Sequence, residues 1–251
     1  MVTEELEFAG STGHTLAGTL HHPEGDARGS VLLAHCFTCS QDLHTMTRLA
    51  GGLADAGYAA LRFDFTGIGA SGGDFVETTV STDVSDLTRA AHTLIERGFG
   101  PCALVGHSLG GAAVLLAAHK IKSARSVAVL GAPSTPAHIR RLLADDLDTI
   151  RNEGEAVVEI AGRAFPVSTA FLDDLDDHEQ QRRVAELDRP LLVLHAVDDR
   201  VVTISEAEAT FAAARQPKAF WPLLDADHLL SRRASAEEAL QVLLAWLERT
   251  R

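Results

Sequence analysis

The sequence predicts an α/β protein: a mostly parallel central sheet with helices on both faces, an antiparallel hairpin at the N-terminal end, and a small inserted cap. Three observations carry this. Short apolar runs alternate with helix-length amphipathic stretches, as strands buried on both faces alternate with the helices that cover them. The alternation breaks between residues 134 and 187, too long a break for one crossover helix. The 251 residues, 46% of them hydrophobic, suffice for one sizeable core and are short for two. Residues 1–251 therefore read as a single domain, with 134–187 as a cap inserted within it.

The elements follow in order. Leu6 and Phe8 alternate with polar residues, Gly13 marks a turn, and Leu16 to Leu20 alternates again, which is a hairpin pattern. The run Val31-Leu32-Leu33-Ala34 is a buried strand. Leu43 to Ala56 reads as helix closed by Gly57, Tyr58 to Phe63 as strand, and Thr82 to Arg97 as helix closed by Gly98. Cys102 to Val105 is strand, Leu109 to Ile121 helix, and Ser126 to Leu130 strand. In the insertion, Ala137 to Arg151 reads as helix, Gly162 as the turn of a hairpin, and the acidic stretch from Phe171 as helical. Pro190 to His195 is strand, Ile204 to Ala214 helix, and Ala219 to Leu224 strand. Ser235 to Arg249 is the last helix, with Ser235 and Glu238 spaced as a capping box.

Composition excludes some functions. The net charge of −13 and the lack of a basic run argue against binding nucleic acid or an anionic membrane. The first residues lack the basic and apolar regions of a signal peptide, and no apolar run reaches the ~18 residues of a membrane span. The cytoplasm is the expected compartment. Three cysteines, an odd number, argue against a disulfide framework.

Sites in parallel sheets lie at the carboxyl ends of strands. Gly106-His107-Ser108-Leu109-Gly110 stands there, between a strand and a helix. Such a turn needs glycines to make room for a tight bend that lifts the serine oxygen clear of the backbone. It also aims the Leu109 N–H and the helix N-terminus at an oxyanion forming on the substrate. A serine hydroxyl needs a base. His14, His21, His22, His92 and His119 read as surface or structural. His228 follows the last strand, where a loop can bring an imidazole onto Ser108. An acid would follow the strand ending at His195, and both Asp198 and Asp199 qualify by position. Asp64 reads as a cap on loop amides; Asp64 to Ser71 is no dinucleotide fingerprint. Cys36-x-x-Cys39 could be a redox dithiol or two small packed residues, and a zinc site lacks ligands. No cofactor or metal is expected, and Asp173 to Glu179 reads as a solvated face.

Together these residues resemble the α/β-hydrolase superfamily over essentially the whole chain, with the serine-aminopeptidase-like hydrolases closest in plan. Ala34-His35-Cys36-Phe37-Thr38-Cys39-Ser40, Arg62-Phe63-Asp64-Phe65-Thr66-Gly67, Gly106 to Gly111, Phe171 to Leu175 and Asp227 to Leu230 resemble the hydrolase half of bacterial proteins that fuse it to an OsmC-type domain. An OsmC-like domain is thus an implied partner. The resemblance implies an esterase-type activity on small-molecule esters by a Ser108–Asp199–His228 triad. Asp199 is favoured over Asp198 because such proteins usually place the acid a short step before a Val pair, here Val201-Val202. Phe37 stands where the family usually supplies the second oxyanion N–H, but Cys36 occupies a slot that is usually glycine. A peptide, a thioester or a carbon–carbon bond beside a ketone are alternative substrates for the same triad. An inactive triad beside a working Cys36/Cys39 pair is the alternative outside hydrolysis.

Overall fold

The computed structural model describes residues 2–99, 102–160 and 162–250, with Cys102 described in its backbone alone. An eight-stranded sheet runs in the order β1-β2-β4-β3-β5-β6-β9-β10. Its strands are β1 (Val2–Ala9), β2 (Thr15–His22), β3 (Ser30–Ala34), β4 (Ala59–Phe63), β5 (Cys102–His107), β6 (Ala124–Leu130), β9 (Leu191–Ala196) and β10 (Lys218–Leu223). β1 and β2 form an antiparallel hairpin, and β2 joins β4 antiparallel. Every other pairing in the sheet is parallel.

The period of two in these strands divides the core. Leu32 and Ala34 of β3 point into one apolar layer, Val31 and Leu33 into the other. The first layer is closed by α2 (Val80–Glu96), α3 (Leu109–Ala117) and α7 (Ile204–Ala213), the second by α1 (His44–Asp55) and α8 (Arg233–Arg249). α3 is buried along its whole length, which explains why its sequence is apolar all round. Among the described residues no helix is long and apolar enough to cross a membrane.

Between β6 and β9 the chain leaves the sheet. It forms a short 3-10 helix at Pro136–Arg141, α4 (Leu147–Glu153), the hairpin β7 (Glu155–Ile160) and β8 (Arg163–Ser168), α5 (Thr169–Asp174) and α6 (Gln180–Ala185). The expected helix from Ala137 to Arg151 is thus two pieces. Asp145 and Asp146 are poor helix-interior residues, and Asp146 becomes the N-cap position of α4.

The expected capping box of α8 is absent. The helix begins at Arg233, which leaves Ser235 inside the first turn. Ser235 Oγ donates instead to the Asp225 carbonyl, and Glu238 accepts from Trp221 Nε1 at 2.9 Å, so both side chains tie the helix to the end of β10. The cysteine pair left open in the sequence is bonded: Cys36 and Cys39 are joined by a disulfide, a local cross-link with Cα atoms 5.2 Å apart. Their three-residue spacing makes this possible, because a turn closed by Cys39 N–H to Cys36 C=O brings the two side chains together.

Candidate active site

Ser108 sits on the bend between β5 and α3 at φ 54°, a left-handed conformation that a side chain adopts only under constraint. The constraint is packing on both sides. A β-carbon on Gly110 would collide with the carbonyl oxygens of His35 and Ala34, and one on Gly106 would collide with the Gly110 backbone. The motif therefore needs glycine at both places so that the bend can press against the loop after β3.

Three elements bring three side chains into line at the carboxyl edge of the sheet. Ser108 Oγ lies 3.0 Å from His228 Nε2, and His228 Nδ1 lies 2.7 Å from Asp199 Oδ2. Asp199 Oδ1 accepts from the Val201 and Val202 amides at 2.8 and 2.9 Å. Burial works to raise the Asp199 pKa, but the His228 hydrogen bond and these two amides prevail and hold it below the ordinary carboxylate range. Asp198 is exposed and takes no part in this chain of bonds. Such a row can pass a proton from the hydroxyl to the imidazole and stabilise the imidazolium that results.

The other residues singled out in the sequence lie on the bend itself or on neighbouring loops. Leu109 is the first residue of α3. Phe37 follows β3, and its ring stacks on Phe171 of α5 with centroids 5.1 Å apart. Phe37, Leu109 and Gly110 line one cleft together with Phe75, Phe171 and Asp83. Asp64 caps its neighbours as expected, accepting from the Gln41 and Ala70 amides at 2.7 and 3.0 Å.

Sequence reasoning passed over three buried histidines, each on a different arm of the site. His35 Nδ1 donates to the Cys36 carbonyl at 2.8 Å, and its Nε2 accepts from the Phe65 amide. His107 Nε2 donates to the His228 carbonyl at 2.7 Å. His195 Nε2 donates to the Val202 carbonyl at 2.7 Å. Burial lowers the pKa of all three, that of His107 to about 3, with the neighbouring His228 adding to the effect. They are neutral donors, so the 3.7 Å approach of His195 to Asp199 is no ion pair. The signal was present: each stands at the carboxyl end of a buried strand, where an apolar run ends on a histidine. Among the described residues no group of three or more His, Cys, Asp or Glu could hold a metal ion.

Comparison with known proteins agrees with this architecture. The chain is 25% identical over 231 residues to a monoacylglycerol lipase from Mycolicibacterium smegmatis, covering 80% of this chain and 81% of that protein. It is 41% identical to the crystal structure of the esterase domain of a Rhodothermus marinus protein, with a TM-score of 0.82 and 99% of both chains covered. Est1E from Butyrivibrio proteoclasticus, at 16% identity, shares the fold with a TM-score of 0.82 and 98% of both chains covered. The model of the alpha/beta hydrolase family matches residues 31–242, which takes in the β3 loop, the Ser108 bend, Asp199 and His228, and this chain belongs to that family.

Proposed function

We propose that the protein is a serine hydrolase that cleaves carboxyl esters of small or medium acyl groups through an acyl-enzyme on Ser108. The observation that carries this reading is the 3.0 Å approach of Ser108 Oγ to His228 Nε2 with Asp199 behind the imidazole. In the first half-reaction Oγ attacks the ester carbonyl while His228 takes its proton. The oxyanion is held by the N–H groups of Phe37 and Leu109, and His228 returns the proton to the leaving alcohol. Water then attacks the acyl carbon and gives a proton to His228, which passes it to Ser108 Oγ as the acyl–oxygen bond breaks and the acid leaves. The chemistry needs no cofactor.

Residues 134–187 act in this proposal as a cap that bounds the acyl pocket. The Phe37–Phe171 stack supports this, as does the 2.9 Å bond from Arg163 Nη1 to the Thr38 carbonyl. An OsmC-type domain remains a candidate partner on the sequence resemblance alone.

The test is a burst experiment with p-nitrophenyl butyrate. A rapid release of one equivalent of nitrophenol, lost in Ser108→Ala, supports the acyl-enzyme; equal rates for the two proteins defeat it. Peptide, thioester and ketone-adjacent carbon–carbon substrates would use the same machinery, and a panel of them ranks the acyl and leaving groups.

A further inference from the structure

We propose that Cys36–Cys39 is a thiol–disulfide exchange site built into the oxyanion loop, open to a dithiol reductant, and that the bonded pair is the form competent in hydrolysis. This rests on the serine-hydrolase reading above.

The argument begins with position. The cross-link encloses Phe37 and Thr38, and the Phe37 N–H is the one assigned to the oxyanion. The slot next to that donor carries a sulfur rather than the usual glycine, so the loop is held by a covalent bond instead of being free to bend. Closing so short a loop removes little entropy from the unfolded chain, and the bond is therefore suited to fixing local geometry more than to raising global stability.

The loop around the cross-link is clamped from several directions. His35 Nδ1 holds the Cys36 carbonyl, which also accepts from the Cys39 amide at 3.1 Å. The Phe37 ring is packed between Phe171 and Phe75, with centroids 5.1 and 5.5 Å away. Arg163 from the hairpin of the insertion holds the Thr38 carbonyl. Two thiols cannot remain at bonding distance, about 2 Å, and must part to van der Waals contact. Cys36 is buried among these clamps and only 5% exposed, whereas Cys39 is partly exposed. With Cys36 held, the parting falls on Cys39 and the turn that carries it, and the covalent hold on the segment that carries the Phe37 N–H is lost. A shift of about 1 Å in a positioning group can lower a rate about a hundredfold.

The exposure difference also sets the order of the chemistry. A thiolate of the reductant attacks Cys39 Sγ, the S–S bond breaks, and Cys36 leaves as a thiolate that takes a proton. The second thiol of the reductant then attacks the mixed disulfide at the reductant's own sulfur and releases Cys39, which is protonated in turn. The reductant gives up two electrons and leaves as its disulfide, and the cysteine pair gains two electrons and two protons.

The test uses the full chain and p-nitrophenyl butyrate. Turnover is measured before and after dithiothreitol, with the thiols in each sample alkylated and counted by mass. The expected result is that two thiols appear together, kcat falls ten- to a hundredfold, KM changes little, and reoxidation restores the rate. Cys39→Ala should turn over at the reduced level and ignore dithiothreitol, while Cys102→Ser should keep the response. A pair shown by mass to be reduced with kcat unchanged or raised overturns the proposal, as does a pair that excess dithiothreitol leaves intact in the native protein. An oxidised protein inert to esters and to a fluorophosphonate probe would overturn the hydrolase reading and this one with it. A protein that turns over but is indifferent to the state of the pair overturns this one alone.

Discussion

At position 199 the carboxylate has two oxygens with different tasks. Oδ2 meets His228 Nδ1, while Oδ1 takes the Val201 and Val202 amides and so fixes the direction in which the first points. Replacing Asp199 by Asn keeps an acceptor for the amides but puts neutral groups opposite His228, which favours the wrong tautomer. Asp199→Asn is expected to lower kcat by about 10⁴, as in a well-studied triad. Asp198→Asn, on an exposed neighbour, should leave kcat within a few fold. Steady-state rates of the two variants decide it, and a large loss in Asp198→Asn alone would reverse the assignment. This distinction was not available from position in the sequence, because both aspartates follow the same strand. It came from the Val pair two and three residues on, whose amides turn out to be what Asp199 binds.

Among the elements, those with strong periodicity were legible and those governed by tertiary contacts were not. β3, β5 and β9 are short apolar runs with no other plausible reading, and the Ser108 bend is announced by its glycines. The stretch from 134 to 187 was legible as an interruption, as a hairpin at Gly162 and as helical from Phe171, where α5 and α6 lie, but the single helix expected from Ala137 to Arg151 was not found. Composition favoured one helix where two acidic residues break the chain. The capping box of α8 failed for a related reason: Ser235 and Glu238 have the right spacing, yet their partners, Asp225 and Trp221, come from the preceding strand and loop. The cysteine count excluded a framework but could not show a single local cross-link. The insertion also has a testable role. Phe171 is buried and stacked on Phe37, so its loss should leave a void beside the cleft. Phe171→Ala is expected to cost about 3 kcal/mol of stability, read from a denaturant midpoint. It should also raise kcat/KM for octanoyl relative to butyryl esters. An unchanged chain-length preference would remove Phe171 from the acyl pocket.

For the molecule as a whole, the buried histidines set a dependence of stability on pH. His21, which accepts from Arg62 Nε at 3.0 Å, is lowered to about 4 by burial and by the Arg62 charge; His107 is lowered to about 3. His35 and His195 are lowered as well, chiefly by burial. In the unfolded chain each imidazole takes a proton below its free pKa of about 6.5. The folded protein refuses that proton until the pH falls much further. Between these limits the unfolded state binds more protons, so the stability present above pH 6.5 is lost as the pH falls through the window. Each pH unit below the free value costs up to about 1.4 kcal/mol for each such histidine. Asp83 opposes the trend: burial, Asp86 and Asp174 push its carboxyl up, so it gains stability as it protonates. Four lowered imidazoles outweigh one raised carboxyl, and from pH 7 to pH 5 the net effect is expected to be a loss of stability on the order of a few kcal/mol. Urea midpoints at the two pH values measure it, above the range in which salt-bridged carboxylates such as Asp174 titrate. His107→Gln can keep a donor near the His228 carbonyl without a group that titrates, and it should flatten the slope. Equal midpoints at pH 7 and pH 5 in the unmodified protein would mean that these imidazoles accept protons in the folded state, and that the clamps on the three arms of the site are not neutral donors.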